Sequence, residues 1–239
     1  MTIRKITDFR VVYICPDHNE KYHNRNLFVQ KLLHDIGFKH FIHYKSGSEK
    51  YPIPLIKAVM DILIKYMDEP VLIVEDDIEF TGEDTFDFVE DADAIYFGLC
   101  RLGAHPTEPT HINNCSYEPY SEHQVRLKNM VCQHAVMYIS PKFKRAVIEK
   151  LMKHLEVPHP KDIVISRMMP DFKVLANKKP AFFQSCKFNL PVIEYITNCY
   201  IDSNNNIQDF KFNKVLLDII ADLNSPSYKE YMRKKNEAK

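Results

Sequence analysis

The sequence predicts an α/β fold built on a doubly wound, mostly parallel sheet flanked by helices. Strand-length β-branched runs alternate with segments whose apolar residues recur at helical spacing, which is the order of a crossover-linked sheet. One run, Val71-Leu72-Ile73-Val74, is apolar at four successive positions, as a strand covered on both faces must be. With 45% hydrophobic residues over 239 positions, the chain is long enough to bury such a core.

The elements follow in order. Arg10 to Cys15 (RVVYIC) is a first strand, ended by Pro16-Asp17. Asn24 or Asn26 can cap a helix with Leu27, Phe28, Leu32, Leu33 and Ile36 on its apolar positions, and Gly37 suits a left-handed stop. Residues 38–44 (FKHFIHY) alternate as a second strand, and Ser46 to Pro52 reads as a loop. Pro54 belongs in the first turn of a helix whose apolar face is Leu55, Ile56, Val59, Met60, Leu63 and Met67. Pro70 opens the strand that ends in Glu75-Asp76-Asp77, and Ala94 to Leu99 is a further strand after an acidic connector with room for a helical turn.

Residues 100–130 lack a clear period and read as a binding loop or a mobile excursion. Regularity returns with a strand from Val131 to Ile139. Ser140-Pro141 then supplies an N-cap and first-turn proline for a helix with Phe143, Val147, Leu151 and Leu155 along one side. A shorter helix is expected over Lys161 to Met169, followed by two extended pieces, FKVLA and AFFQS. Phe212, Val215, Leu216, Ile219, Ile220 and Leu223 mark an amphipathic C-terminal helix. The expected organisation is a catalytic domain over 1–190 with a helical extension over 191–239 packed on it.

Composition narrows the class. The 32 basic and 32 acidic side chains balance, which argues against a dedicated nucleic-acid coat. Six cysteines stand singly, with no zinc spacing. No leader pattern is visible at the N-terminus, and no apolar run approaches the ~20 residues that span a bilayer. A soluble, cytoplasmic protein with free thiols is expected.

Glu75-Asp76-Asp77 carries the chemistry. Side chains alternate along a strand, so Glu75 and Asp77 should leave on one side and Asp76 on the other. Adjacent carboxylates at a buried strand end repel one another, and a divalent cation relieves them. The carboxyl end of an α/β sheet is also where ligands bind. Mg²⁺ or Mn²⁺ takes oxygen ligands and keeps positions open for phosphate. The plain alternative is a solvated acidic rim, which the further acids from Glu79 to Asp93 would extend.

An apolar strand ending in EDD, reached after strand–helix–strand–helix, resembles the DxD-type motif of GT-A fold glycosyltransferases. Within that group the chain more closely resembles glycosyltransferase family 25, of the lipopolysaccharide-biosynthesis type, whose members carry a hydrophobic strand ending in LEDD. The segments Gln133 to Ser140 (QHAVMYIS), Pro141 to Leu151 (PKFKRAVIEKL) and Pro160 to Gln184 (PKDIVISRMMPDFKVLANKKPAFFQ) follow that family's order, and the resemblance covers residues 8–186.

The resemblance implies transfer of a sugar from a nucleotide-diphosphate donor, with a UDP-sugar favoured, to a hydroxyl acceptor such as a glycan. Asp77 is then the metal ligand, and Glu75 or Asp76 contacts ribose or a metal-bound water. Cys15, Pro16 and Asp17 line the base pocket, and Arg25 or Lys50 meets phosphate. Asp162 matches an acceptor-side carboxylate able to take a proton; its position in a first helical turn is equally explained by the helix dipole. His134 reads as a hydrogen-bonded core residue or an acceptor contact, and Tyr117 and Tyr120 as possible stacking partners for a sugar. Two other readings remain open: a non-catalytic glycan- or partner-binding module, and a glycosyltransferase acting on modified DNA bases.

Overall fold

The computed structural model describes residues 1–112, 114–185 and 198–210. β1 (Thr2–Lys5) leads through a 3-10 turn to β2 (Arg10–Cys15), α1 (Glu20–Ile36), β3 (Phe41–Lys45), α2 (Ile53–Lys65) and β4 (Val71–Glu75). Two short strands, β5 (Ile78–Phe80) and β6 (Thr85–Phe88), precede β7 (Ala94–Tyr96). β8 (Gly103–Ala104), β9 (His111–Ile112), β10 (Ser116–Pro119) and β11 (Gln124–Asn129) come next. They are followed by β12 (Ala135–Tyr138), α3 (Pro141–Met152), α4 (Lys161–Ser166), β13 (Val174–Asn177), β14 (Phe182–Gln184), β15 (Cys199–Ile201) and β16 (Ile207–Asp209).

The α/β architecture is as the sequence predicts: an eight-stranded central sheet, ordered β10-β11-β13-β7-β12-β4-β2-β3, with helices on both faces. Its direction differs in one half. The pairs β3–β2, β2–β4 and β7–β13 are parallel, but β12 runs antiparallel between β4 and β7, and β11 and β10 add antiparallel pairs. The sheet is therefore mixed. Strand–helix alternation fixes direction only where a helix makes the crossover, and no helix lies between β4 and β12.

Period-two alternation assigns the core. Val11, Tyr13, Leu72 and Val74 pack toward α1 with Val29 and Leu33. Val12, Ile14, Val71 and Ile73 face the other way, onto Ile56 and Val59 of α2 and Phe143 and Val147 of α3. The continuous VLIV run is thus buried on both faces. In α3 the cap is the expected one: Ser140 Oγ accepts the Phe143 N–H at 3.1 Å.

Several boundaries move. α1 starts at Asn19, whose Oδ1 accepts the Tyr22 N–H at 3.1 Å, and not at Asn24 or Asn26. Its buried face includes Arg25 and Asn26, while Leu27 is exposed, so counting apolar positions alone placed the start too late. Gly37 ends the helix at φ 103, as expected, and Phe38 still belongs to that stop through its N–H to Leu33 O. The acidic connector forms β5 and β6 instead of a helical turn, pairing with β14 and β1. The short helix ends at Ser166, before a 3-10 turn over Met169–Asp171.

Residues 100–130 are not a structureless loop: β8 and β9 form a hairpin, and β11 joins the main sheet beside β13. The described part of 191–239 is the β15–β16 hairpin, whose Cys199 and Ile201 enter the main core. The predicted helix over Phe212 to Leu223 and the boundary at 190 lie outside the described residues. Among the described residues no helix is long and apolar enough to cross a membrane, and the five described cysteines are free and buried.

Candidate active site

Strand parity sends the first two acidic side chains to opposite faces of the sheet. Glu75 shares the face of Val71 and Ile73, where α4 packs, and its Oε1 lies 2.7 Å from Lys161 Nζ. Asp76 turns toward α1, where Arg25 donates to both of its oxygens at 3.4 and 3.5 Å. The strand ends at Glu75, so alternation no longer governs Asp77. Its backbone carbonyl accepts the Ser185 N–H at 2.5 Å, and its Oδ2 accepts Gln184 Nε2 at 3.4 Å.

The electrostatics differ as much as the partners. Burial opposes ionisation of Glu75, yet the charge and hydrogen bond of Lys161 outweigh it and hold the carboxyl below its usual value. Burial raises Asp76, with Arg25 pulling against it. Burial raises Asp77 to about 8, and the neighbouring Asp76 and Glu75 charges add to that. Asp77 Oδ1 is buried and has no hydrogen-bond partner.

Two cavities meet at this strand end. The larger, about 430 Å³, has Glu75, Asp76, Asp77 and Arg25 on its polar side and Pro16, His18, Tyr22 and Tyr51 among its other walls. His18 packs on Tyr22 with ring centroids 4.9 Å apart, and the Arg25 guanidinium sits over the Tyr22 ring at 5.6 Å. The smaller, about 200 Å³, is lined by Lys161, Asp162, Gln133, His134 and Gln184. Glu75, Tyr51 and Leu55 belong to both.

Of the residues singled out from sequence, Pro16, Arg25, Glu75, Asp76 and Asp77 come together at the larger cavity, and Asp162 lines the smaller one. Cys15 is buried behind the cavity, its thiol 3.5 Å from Asp76 Oδ2, and burial pushes that thiol up to about 12. Asp17, at φ 49, faces His23 at 3.2 Å outside the cavity lining. Lys50 is exposed and lines neither cavity, because the turn that holds it presents Glu49 and Tyr51 instead. His134 is buried, with Nδ1 3.1 Å from Cys132 Sγ and Nε2 3.4 Å from Phe182 O; burial brings its pKa down to about 4.

Sequence reasoning missed Lys161, Gln184, Tyr22 and Tyr51. Lys161 had a signal: a lysine in the first turn of a helix opposes the helix dipole, so its burial requires a carboxylate nearby.

A hard divalent cation fits Asp77. Its orphaned Oδ1 and raised carboxyl both call for a positive charge. Among the described residues no group of three His, Cys, Asp or Glu side chains forms a cage.

No family model matches the chain, and no curated protein matches it. Among solved structures it aligns with the CTP:phosphocholine cytidylyltransferase of Streptococcus pneumoniae at 10% identity and a TM-score of 0.40, covering 75% of this chain and 95% of that one. A likeness at that level assigns neither fold nor reaction. The α/β architecture stands on the sheet itself.

Proposed function

We propose that the protein is a metal-dependent glycosyltransferase that moves a sugar from a nucleotide-diphosphate donor, a UDP-sugar by preference, to a hydroxyl of a glycan acceptor. The observation that carries this reading is the pair of adjoining cavities that share Glu75, one presenting Arg25 and Asp77 and the other Asp162.

The donor belongs in the larger cavity. Tyr22, His18 and Tyr51 offer aromatic faces for the nucleobase. Arg25 is held by Asp76 and carries a fixed positive charge for phosphate. Asp77 would hold Mn²⁺ or Mg²⁺, which when bound neutralises the charge that grows on the leaving diphosphate. Gln184 fixes the Asp77 carboxylate through Nε2. Glu75 is ionised and accepts hydrogen bonds only, so it suits a ribose or sugar hydroxyl at the border of the two cavities.

The acceptor belongs in the smaller cavity. Burial raises the Asp162 carboxyl, with the Lys161 charge and the Ile163 N–H pulling the other way. A raised carboxylate is a stronger base, placed to take the proton of an attacking hydroxyl.

The test is a calorimetric titration with UDP, with and without Mn²⁺. Mn²⁺ should raise UDP affinity by about tenfold or more, and Asp77→Asn should abolish that gain while leaving metal-free binding in place. Equal affinity with and without Mn²⁺ in the wild type would rule out the cation at Asp77.

A further inference from the structure

Charge is distributed unevenly between the two cavities, and this bears on what the smaller one accepts. Lys161 lines it, but the ammonium is not free for a ligand: it lies 2.7 Å from Glu75 Oε1, and both side chains are largely buried. The pair cancels. His134 stays neutral because burial holds its pKa near 4. Cys132 stays a thiol for the same reason, burial raising it well above its ordinary value. Asp162 remains, an acid without a cation of its own beyond the Lys161 already joined to Glu75. His111, at the exposed rim, is the remaining basic group of the lining.

The polar groups are also locked. Gln133 Oε1 accepts from Tyr138 OH at 3.0 Å while its Nε2 donates to Tyr96 OH. Gln184 is tied to Asp77. Leu55, Leu102 and Val131 supply apolar parts of the lining. The volume of about 200 Å³ is on the scale of a single ring.

We propose that the smaller cavity takes a single uncharged, hydroxyl-rich ring, the terminal residue of a neutral saccharide acceptor, and rejects anionic acceptors because Lys161 is committed to Glu75. The inference rests on the donor and acceptor assignment above and narrows its acceptor half. A ring lays its apolar face on Leu55, Leu102 and Val131 and its hydroxyls on Asp162 and the fixed amides. A carboxylate or phosphate would meet Asp162 with no free cation to offset it, which is selection by repulsion.

The test uses neutral methyl glycosides of glucose, galactose, mannose and N-acetylglucosamine against glucuronate, galacturonate and glucose 6-phosphate. Binding is followed by ligand-observed NMR on the full chain, with and without Mn²⁺–UDP. At least one neutral glycoside should bind about tenfold tighter than its acidic counterpart. Glu75→Gln, which releases Lys161, should raise affinity for the acidic member by about tenfold; Asp162→Asn should narrow the ratio about threefold. The second variant keeps the test decisive if the first does not fold.

Tighter binding of the acids by the wild type, no binding of any neutral glycoside, or an unchanged ratio in the folded variants overturns the proposal. UDP heat without a neutral preference removes this inference and leaves the donor site standing. A neutral preference without UDP heat supports the ring-binding cavity and removes the donor assignment.

Discussion

The two cavities share one carboxylate and treat charge in opposite ways. On the larger cavity's side, Asp77 keeps a buried oxygen without a partner, and its carboxyl is raised to about 8. On the smaller cavity's side, Glu75 is matched at 2.7 Å by Lys161, a lysine more buried than itself. The difference teaches where the protein expects a charged ligand. A buried carboxylate without a partner keeps its proton, as the raised Asp77 carboxyl does, until a cation arrives to take its place, whereas a matched one such as Glu75 is already neutralised by its lysine.

The strongest way to break that contrast is Lys161→Met. Glu75 would be left buried and alone, and breaking such a pair costs about 3–5 kcal/mol. Urea denaturation should show that loss at pH 7. The double variant Lys161→Met with Glu75→Gln should recover most of it, because the surviving group is then uncharged. If the single variant loses less than about 1 kcal/mol, the pair behaves as a solvent-screened surface bridge and the cavity is not neutralised by it.

A somewhat smaller effect is expected from pH. His134 has a folded pKa of about 4 against an ordinary value of 6.5, with burial as the largest cause. Between those values the unfolded chain binds more protons than the folded one, so stability falls as pH drops from 6.5 to 4. The full shift corresponds to about 3 kcal/mol. The raised Asp77 carboxyl contributes with the opposite sign over the same window, so the readout is the difference: from pH 7 to 5.5 to 4.5 the wild type should lose stability relative to His134→Gln. A slope identical in the variant would mean that the histidine is not held neutral against the smaller cavity.

How far the sequence reveals this arrangement depends on the range of the interaction that fixes each residue. Strand parity is local, so the divergence of Glu75 and Asp76 follows from VLIVEDD alone. Asp77 escapes the same rule because the strand stops one residue too early. Arg25 and Asp162 stand out as charges near turns, but their placement comes from helices that pack on opposite faces of the sheet. Lys50 looked equivalent to Arg25 in sequence and lies outside both cavities, since a loop carries no periodicity from which to read direction. The stretch 100–130 hid β11 for a related reason. Val125 and Leu127 are buried with Arg126 between them, a period-two signal that two buried positions are too few to establish without the partner strand.

The smallest effect tests whether the wall between the cavities is rigid. Gly98 has no side chain because His134 occupies the space: a Cβ there would lie 2.0 Å from Nε2 and 2.5 Å from Cε1. The ring has little freedom to retreat, being bonded at 3.1 Å to Cys132 Sγ and at 3.4 Å to Phe182 O. Gly98→Ala should therefore cost about 1–3 kcal/mol of stability, the usual range for overpacking a core. Its functional consequence should be one-sided. His134 lines the smaller cavity and not the larger, so binding of a neutral glycoside should weaken while Mn²⁺–UDP affinity stays within about twofold. Parallel loss of both would show that the displaced ring pushes on Glu75 through the His134 carbonyl that accepts the Glu75 N–H at 2.9 Å. The shared carboxylate would then transmit strain between the cavities, and their separation would hold for charge alone.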